Sequence, residues 1–144
     1  MIQTEGIFVG GSAISAPIIG EDFNWSGGDG TYQVLDDGGS NWRIKFLSSG
    51  TFTPLKNMVI DAFLVGGGGG AGSSYCGEGG AGYTTTVRSV VLTADTAYSI
   101  VVGAAGTNGN PSSATTGGET TAFTASAAGG KNTSNGTSSS KNPG

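Results

Sequence analysis

The sequence predicts an all-β domain, a β-sandwich whose strands are connected by glycine-rich segments in the polyproline-II conformation. From Tyr32 onward, short runs of β-branched and aromatic residues alternate with clusters of Gly, Asn, Asp and Ser. No stretch has its apolar residues at helical spacing. Glycine fills 29 of the 144 positions, roughly three times its average share. A chain of this length holds one core, so we expect a single domain.

The first predicted element is a β-hairpin. TYQVL and WRIKFL flank the turn cluster DDGGSN. In the second strand Trp42, Ile44 and Phe46 share one face, whereas Arg43 and Lys45 share the other, because successive side chains of a strand point to opposite sides. We therefore expect one buried face and one face in contact with water.

The later strands are predicted from their apolar runs. TFTPL contains Pro54, which indicates an edge strand or a strand end. MVIDAFLV is a nearly continuous run of apolar residues, which predicts the central strand. GYTTTVRSVVL and AYSIVVG flank the short loop TADT, which predicts a second hairpin. GGETTAFTASA alternates Thr121, Phe123 and Ala125 and predicts one more strand.

The glycine run after MVIDAFLV is predicted to be an ordered part of the fold. A loose loop of about twenty residues between two strands is unusual in a compact domain. Glycine-rich segments form polyproline-II helices with three residues per turn, and glycine lets such segments pack closely side by side. GGGGGAG, GEGGAG, GAAG and GGK recur at the ends of successive strands, which predicts a small bundle. The structural glycines are Gly66, Gly67, Gly68, Gly69, Gly70, Gly72, Gly77, Gly79, Gly80, Gly82, Gly103 and Gly106.

The chain is predicted to have two less regular ends. Residues 1–30 carry only the small apolar anchors GIFV and APIIG, and we expect an arm used for assembly or attachment. Residues 31–128 form the glycine-rich β-domain. Residues 129–144 are rich in Ser, Gly and Asn and hold no apolar side chain, which favours a loose tail or one held by a neighbouring chain.

Composition argues against several functions. The net charge is −4 without a Lys/Arg cluster, so we expect no nucleic-acid partner. Without histidine, the chain lacks the commonest general base and zinc ligand, and we expect no enzyme activity, metal or cofactor. VGGGGGAG matches a dinucleotide fingerprint, but a β-run follows it where a helix is required. The lone Cys76 is interpreted as a small loop residue. No apolar stretch spans a bilayer and no signal peptide is readable, so we expect cytoplasmic production without membrane binding.

Several of these stretches together resemble a known family. NWRIKFLSSGTFTP, MVIDAFLVGGGGGAG, GEGGAGYTTTV and LTADTAYSIVVGAAG are similar to the glycine-rich domain of phage tail-fibre and adhesin proteins and of related prophage-encoded proteins. The resemblance covers about residues 41–130. More distantly, the chain is similar to the glycine-rich region of the anaplastic lymphoma kinase ectodomain, whose TNF-like sandwich carries polyglycine helices. The resemblance implies a TNF-like or jelly-roll-like sandwich.

The resemblance also implies a function. We expect a non-enzymatic virion protein, part of a tail fibre or tail tip, that is a homo-oligomer, most commonly a trimer, and contacts other virion proteins. A role in attachment to a bacterial surface glycan or protein is a further expectation, with the extracellular particle as its location. Head fibre or capsid decoration protein is an alternative. A surface carbohydrate-binding module is another, with Trp25, Trp42, Tyr75 and Tyr83 as candidate stacking residues; Tyr75, Tyr83 and Trp25 are the candidate surface contacts.

Overall fold

The computed structural model describes residues 2–4, 16–36, 42–72, 77–109 and 113–133, and every regular element among them is a β-strand. The all-β prediction is therefore confirmed for this part of the chain. The strands are β1 (Ile2–Thr4), β2 (Phe23–Trp25), β3 (Tyr32–Asp36), β4 (Trp42–Phe46), β5 (Gly50–Pro54), β6 (Met58–Val65), β7 (Thr84–Leu92), β8 (Tyr98–Val101), β9 (Thr120–Ala122) and β10 (Ala125–Ala127).

The chain divides into two compact units. The sheet unit comprises Met1–Phe63 and Thr86–Ile100, and the glycine unit comprises Leu64–Thr85 and Val101–Gly144.

The first sheet of the sheet unit has the order β3-β4-β1-β6-β7. β3 and β4 form the predicted antiparallel hairpin, with Tyr32 opposite Phe46 and Asp36 opposite Trp42. In β4 the side chains alternate as expected, because Trp42 and Ile44 are buried while Lys45 is exposed. MVIDAFLV was predicted as the central strand; β6 lies between β1 and β7 and is therefore an interior strand, while β1 is at the centre of this sheet.

The second sheet of this unit places β5 between β8 and β2. Phe52 of β5 lies opposite Trp25 on one side and Tyr98 on the other. Pro54 is the last residue of β5, at a strand end as predicted. β2 belongs to the stretch that was predicted as an arm, and its Phe23 is completely buried.

The predicted hairpin around TADT is wrong. β7 pairs in the first sheet and β8 in the second, so the loop between them passes from one sheet to the other. The loop is fixed by backbone donors: Asp95 N–H donates to Pro54 O at 2.7 Å, and Ala94 N–H donates to Asn57 Oδ1 at 2.8 Å. A short polar loop connects strands of different sheets as readily as strands of one hairpin, so its length did not distinguish the two.

Aromatic side chains from both sheets form the core of the sheet unit. Phe23 stacks on Phe52 with ring centroids 5.4 Å apart. Trp25 of β2 lies 4.5 Å from Phe46 of β4, and Phe46 meets Phe52 edge to face at 5.8 Å. Burial of one such side chain stabilises a fold by about 1.5–3 kcal/mol. These contacts join strands of the two sheets, while the finer assignment to a TNF-like or jelly-roll-like sandwich remains a prediction.

GGETTAFTASA forms two strands instead of one. β9 and β10 pair antiparallel, with Ala122 opposite Ala125, and the two-residue turn between them is Phe123–Thr124. Both turn residues have positive φ, 49° and 67°, as a type I′ turn requires. Such turns normally contain Asn or Gly, so the sequence carried no turn signal here. Phe123 is buried at 6% exposure, which helps to hold the unusual backbone.

Candidate functional site

The most distinctive feature of the glycine unit is a bundle of five extended segments, which we call the glycine bundle. Its segments, numbered in chain order, span residues 66–72, 77–83, 103–109, 114–119 and 128–133. The first segment follows β6 and the second precedes β7; the third follows β8, the fourth precedes β9, and the fifth follows β10. The bundle is therefore built from the ends of successive strands, as predicted.

The first segment donates hydrogen bonds to two neighbours with a repeat of three residues. Gly66 N–H donates to Tyr83 O at 2.9 Å and Gly69 N–H to Gly80 O at 2.8 Å, both in the second segment. One residue further along, Gly67 and Gly70 donate to carbonyls of the fourth segment. Their acceptors are Gly118 O and Thr115 O, each at 2.9 Å.

The carbonyls of the first segment show the same repeat. Gly68 O and Ala71 O accept from the third segment, from Gly106 N–H at 2.7 Å and Gly109 N–H at 3.1 Å. Gly67 O and Gly70 O accept from the fifth segment, from Gly130 N–H at 2.8 Å and Thr133 N–H at 3.4 Å. A repeat of three is that of the polyproline-II helix, which has no internal hydrogen bonds and offers its backbone groups to neighbours. The first segment is thus the centre of the bundle, with four neighbours.

The outer segments also bond to one another. The second and fifth are joined by Gly80 N–H to Lys131 O at 2.8 Å and Tyr83 N–H to Ala128 O at 2.9 Å. The fourth segment is joined to the fifth by the hydrogen bond from Gly117 N–H to Gly130 O at 2.9 Å. It is joined to the third by the hydrogen bond from Gly118 N–H to Ala104 O at 2.8 Å. Around the first segment the order is therefore second, fifth, fourth, third.

Glycine is required in the bundle by close approach of backbones. A Cβ atom on any of eleven glycines would overlap a carbonyl oxygen of a neighbouring segment, and none of them has φ in the left-handed region. They are Gly66, Gly67, Gly69, Gly70, Gly79, Gly82, Gly103, Gly106, Gly117, Gly129 and Gly130. Eight of these are in the predicted set. Gly129 and Gly130 lie in GGK, which was predicted as part of the bundle although neither was named as a structural glycine. Gly117 was missed, although it lies next to a strand end in TTGGE, which is the signal that could have identified it.

The remaining four predicted glycines have other environments. A Cβ on Gly68 would meet only Gly80 O at 3.9 Å, and one on Gly77 would meet Thr133 Cγ2 at 3.7 Å, both ordinary contacts. Gly72 and Gly80 take part through their N–H groups, which donate to Thr133 Oγ1 at 2.9 Å and to Lys131 O at 2.8 Å. Gly68 is exposed, so the first segment has an open side at this residue.

Two buried threonines connect segments of the bundle through their hydroxyls. Thr133 Oγ1 accepts from Gly72 N–H at 2.9 Å and donates to Gly77 O at 2.7 Å. Thr120 Oγ1 accepts from Gly103 N–H at 2.9 Å and donates to Val65 O at 2.7 Å. Each hydroxyl thus bonds one backbone donor and one backbone acceptor. Sequence reasoning missed both, because a Ser/Thr-rich chain gives no sign of which hydroxyls are buried.

The predicted surface contacts have different environments. Trp25 is instead buried at 8% exposure, and its Nε1–H donates to Thr31 Oγ1 at 2.8 Å, so its ring has no open face for stacking. Trp42 is buried at 4%. Tyr83 is half-buried, and its backbone is part of the bundle. Tyr75 and Cys76 lie outside the described residues.

The predicted loose tail begins inside the bundle. Residues 129–133 form most of its fifth segment, where Gly130 and Thr133 are buried, and the rest of that tail lies outside the described residues. An apolar anchor is unnecessary here because backbone hydrogen bonds hold the segment.

Charged groups are sparse and lie mostly in the sheet unit. Lys56 Nζ donates to Asp22 Oδ1 at 2.6 Å, and this hydrogen bond holds the pKa of Asp22 below its ordinary value and raises that of Lys56. Ile18 N–H donates to the other Asp22 oxygen at 2.9 Å and also lowers that pKa. Within the described ranges, no three His, Cys, Asp or Glu residues lie close enough to hold a metal ion. The same ranges contain no helix long and apolar enough to cross a membrane.

Comparison with known proteins gives one family. The model of the family described as glycine-rich domain matches residues 47–144, which include all five segments of the glycine bundle. No curated protein and no solved structure matches the chain significantly.

Proposed function

Because the chain belongs to the glycine-rich domain family, we propose that it is a non-enzymatic structural protein of a phage or prophage virion, in a tail fibre or tail tip. The observation that carries the proposal is the glycine bundle. Its segments are held by main-chain hydrogen bonds with a repeat of three residues and by contacts that exclude side chains. Such a bundle supplies a rigid body, which is the requirement of a fibre.

The sequence of the bundle supports a scaffold role in a second way. Within the third segment, Ala104, Ala105, Thr107 and Asn108 are exposed, whereas Gly103 and Gly106 are at blocked positions. Two of these side chains contact neighbouring segments: Asn108 Oδ1 accepts a hydrogen bond from Ala71 N–H at 2.8 Å, and Thr107 Oγ1 lies 3.1 Å from Thr115 Oγ1. Ala104 and Ala105 are the exposed residues of this segment that we propose a partner contacts. A bacterial surface glycan or protein is the partner we propose.

Assembly with other copies is part of the proposal. Ile18 and Ile19 of APIIG are 51% and 41% exposed, and we propose that they form part of a contact surface. We propose a homo-oligomer, with a trimer as the form common in fibres, that binds other virion proteins and leaves the bacterial cytoplasm with the particle.

The test is to find the protein on particles. Phage particles from the strain that encodes the chain are purified in a density gradient, and the protein is quantified by mass spectrometry and located with gold-labelled antibody. We expect a fixed copy number, a multiple of three, at the tail. Label on the head would favour the alternative of a head fibre or capsid decoration protein. Absence from particles would refute the virion role.

A matched pair of variants tests the role of the bundle. Gly69→Ala introduces a Cβ that overlaps Lys131 O, whereas Gly68→Ala is accommodated. Particles that carry Gly69→Ala should adsorb to host cells more slowly than wild type, and those that carry Gly68→Ala should adsorb normally. Equal adsorption by both variants would contradict the scaffold role. Binding of purified protein to a glycan array, without particles, would favour the carbohydrate-binding module.

A further inference from the structure

β7 is an edge strand of the first sheet. With nine residues it is the longest strand described, and among the described residues β6 is its neighbour in the sheet. Val91 near its end is 70% exposed. A long edge strand rich in Thr and Val presents unpaired N–H and C=O groups to other chains, and proteins commonly block such edges.

The burial pattern of β7 shows an extra residue in the strand. In the first half of the strand the inward residues have odd numbers, because Thr85 and Val87 are half-buried between exposed neighbours. In the second half they have even numbers, because Val90 is half-buried and Leu92 is buried on either side of the exposed Val91. Between them, Arg88 and Ser89 are both exposed. Side chains of a regular strand alternate strictly, so a change of phase over two adjacent residues indicates a β-bulge.

The backbone of Ser89 agrees with a bulge. Its φ is 54°, in the left-handed region that a non-glycine residue enters at a cost of about 1–2 kcal/mol. Asp61 of β6 offsets part of this conformational cost, because its Oδ1 accepts a hydrogen bond from Ser89 N–H at 2.8 Å. Arg88 Nη1 lies 3.7 Å from Asp61 Oδ2. One carboxylate thus contacts both residues of the bulge.

We propose that the bulge at Arg88–Ser89, held by Asp61, prevents a second copy of this chain from adding a strand to β7. A bulge bends the strand and interrupts the outward row of backbone groups that a new strand would need. The occupant is a second copy because two identical β7 strands can pair antiparallel about a twofold axis, each contributing the same Thr- and Val-rich edge. The homo-oligomer proposed above uses a different surface, that of the exposed Ile18 and Ile19.

Deletion of Ser89 is the direct experiment. It restores one continuous alternation in which Thr85, Val87, Val90 and Leu92 all face inward, so the buried set is retained while the bulge is removed. Sedimentation velocity over a range of concentrations should show species larger than those of wild type. The association constant for the new contact should exceed the wild-type value at least about tenfold, which corresponds to ~1.4 kcal/mol. Adding Val91→Lys to the deletion should reverse the effect, because a charge on the edge opposes pairing.

Substitutions of Asp61 give a second test that keeps the length of the chain. Asp61→Ala removes the acceptor of Ser89 N–H and should increase association, whereas Asp61→Asn retains an Oδ1 acceptor and should behave like wild type. A folded deletion variant with the wild-type association state would overturn the proposal, as would association that Val91→Lys does not reverse. If the deletion variant does not fold, Asp61→Ala decides: an association state like wild type overturns the proposal.

Discussion

Adjacent glycines in the first segment of the bundle should respond very differently to the same substitution. In Gly69→Ala the new Cβ would overlap the carbonyl of Lys131, so the fifth segment has to move away. That movement weakens Gly80 N–H to Lys131 O and Gly130 N–H to Gly67 O, each 2.8 Å long. In Gly68→Ala the atom nearest the new Cβ is Gly80 O at 3.9 Å, and nothing has to move.

The expected magnitudes follow from these contacts. Overpacking costs about 1–3 kcal/mol, and each weakened hydrogen bond removes up to about 1 kcal/mol. Against this, alanine reduces the conformational entropy of the unfolded chain and stabilises by about 0.4–1 kcal/mol where its backbone is compatible. We therefore expect Gly69→Ala to lower the free energy of unfolding by about 2 kcal/mol, and by no more than about 4–5 kcal/mol. Gly68→Ala should leave it unchanged or raise it by about 0.5 kcal/mol.

Urea denaturation followed by far-UV circular dichroism measures the two free energies. Amide hydrogen exchange of Gly66, Gly67 and Gly70 gives a local reading, since these donors lie inside the bundle. Protection should fall in Gly69→Ala and persist in Gly68→Ala. Equal destabilisation by both variants, or full protection of these amides in Gly69→Ala, would refute the steric reasoning.

Three further predictions concern other contacts. Thr133→Val leaves Gly72 N–H and Gly77 O without the hydroxyl and should destabilise by about 1–3 kcal/mol; Thr133→Ser keeps the hydroxyl, and equal losses in both variants by urea denaturation would show that it is not the cause. Thr124→Gly should stabilise by about 1 kcal/mol, since Thr124 is exposed with φ 67°; a lower melting temperature would contradict this. The pKa of Asp22 in the folded protein lies below the ordinary 3.8, so ionised Asp22 stabilises the fold above pH 3.8, and this stabilisation is lost as the pH falls through the folded pKa. Asp22→Asn should therefore make the free energy of unfolding less dependent on pH in this acid range. An unchanged slope of the free energy of unfolding against pH would contradict this prediction.

Sequence reasoning succeeded where two local signals agreed. The β3–β4 hairpin has both an alternating pattern and a turn cluster, and its two strands pair antiparallel as predicted. It failed where the decisive contact was distant in sequence. Nothing in TADT indicates that Asp95 N–H reaches Pro54 O, and nothing in AFTA indicates that a buried Phe123 occupies a left-handed turn position. The predicted arm lacked a continuous pattern, yet three residues, Phe23–Trp25, were enough to form a strand.

The glycine bundle was predicted as a structure, but its individual contacts were not. Gly68 and Gly69 are indistinguishable in GGGGGAG, and they differ only in which neighbour their Cα atoms face. Thr120 and Thr133 are two among many threonines. Identification of their roles required the positions of all five segments, which the sequence does not give.

The spacing of glycine nevertheless reports how many neighbours a segment has. The third segment, GAAGTNG, contacts the first and fourth segments, and its glycines recur once per three-residue turn, at Gly103, Gly106 and Gly109. The first segment contacts four neighbours, and in GGGGGAG a side chain is sterically excluded at two of every three positions. Gly68 and Ala71, which are one three-residue turn apart, occupy the remaining position of the turn. A polyproline-II helix has three faces per turn, so each additional packed face removes one more side chain. Ala71 therefore lies on the face of the central segment where a side chain is tolerated. In a glycine-rich stretch, the position of the non-glycine residues within the three-residue turn indicates which face of the segment is not packed against a neighbouring backbone.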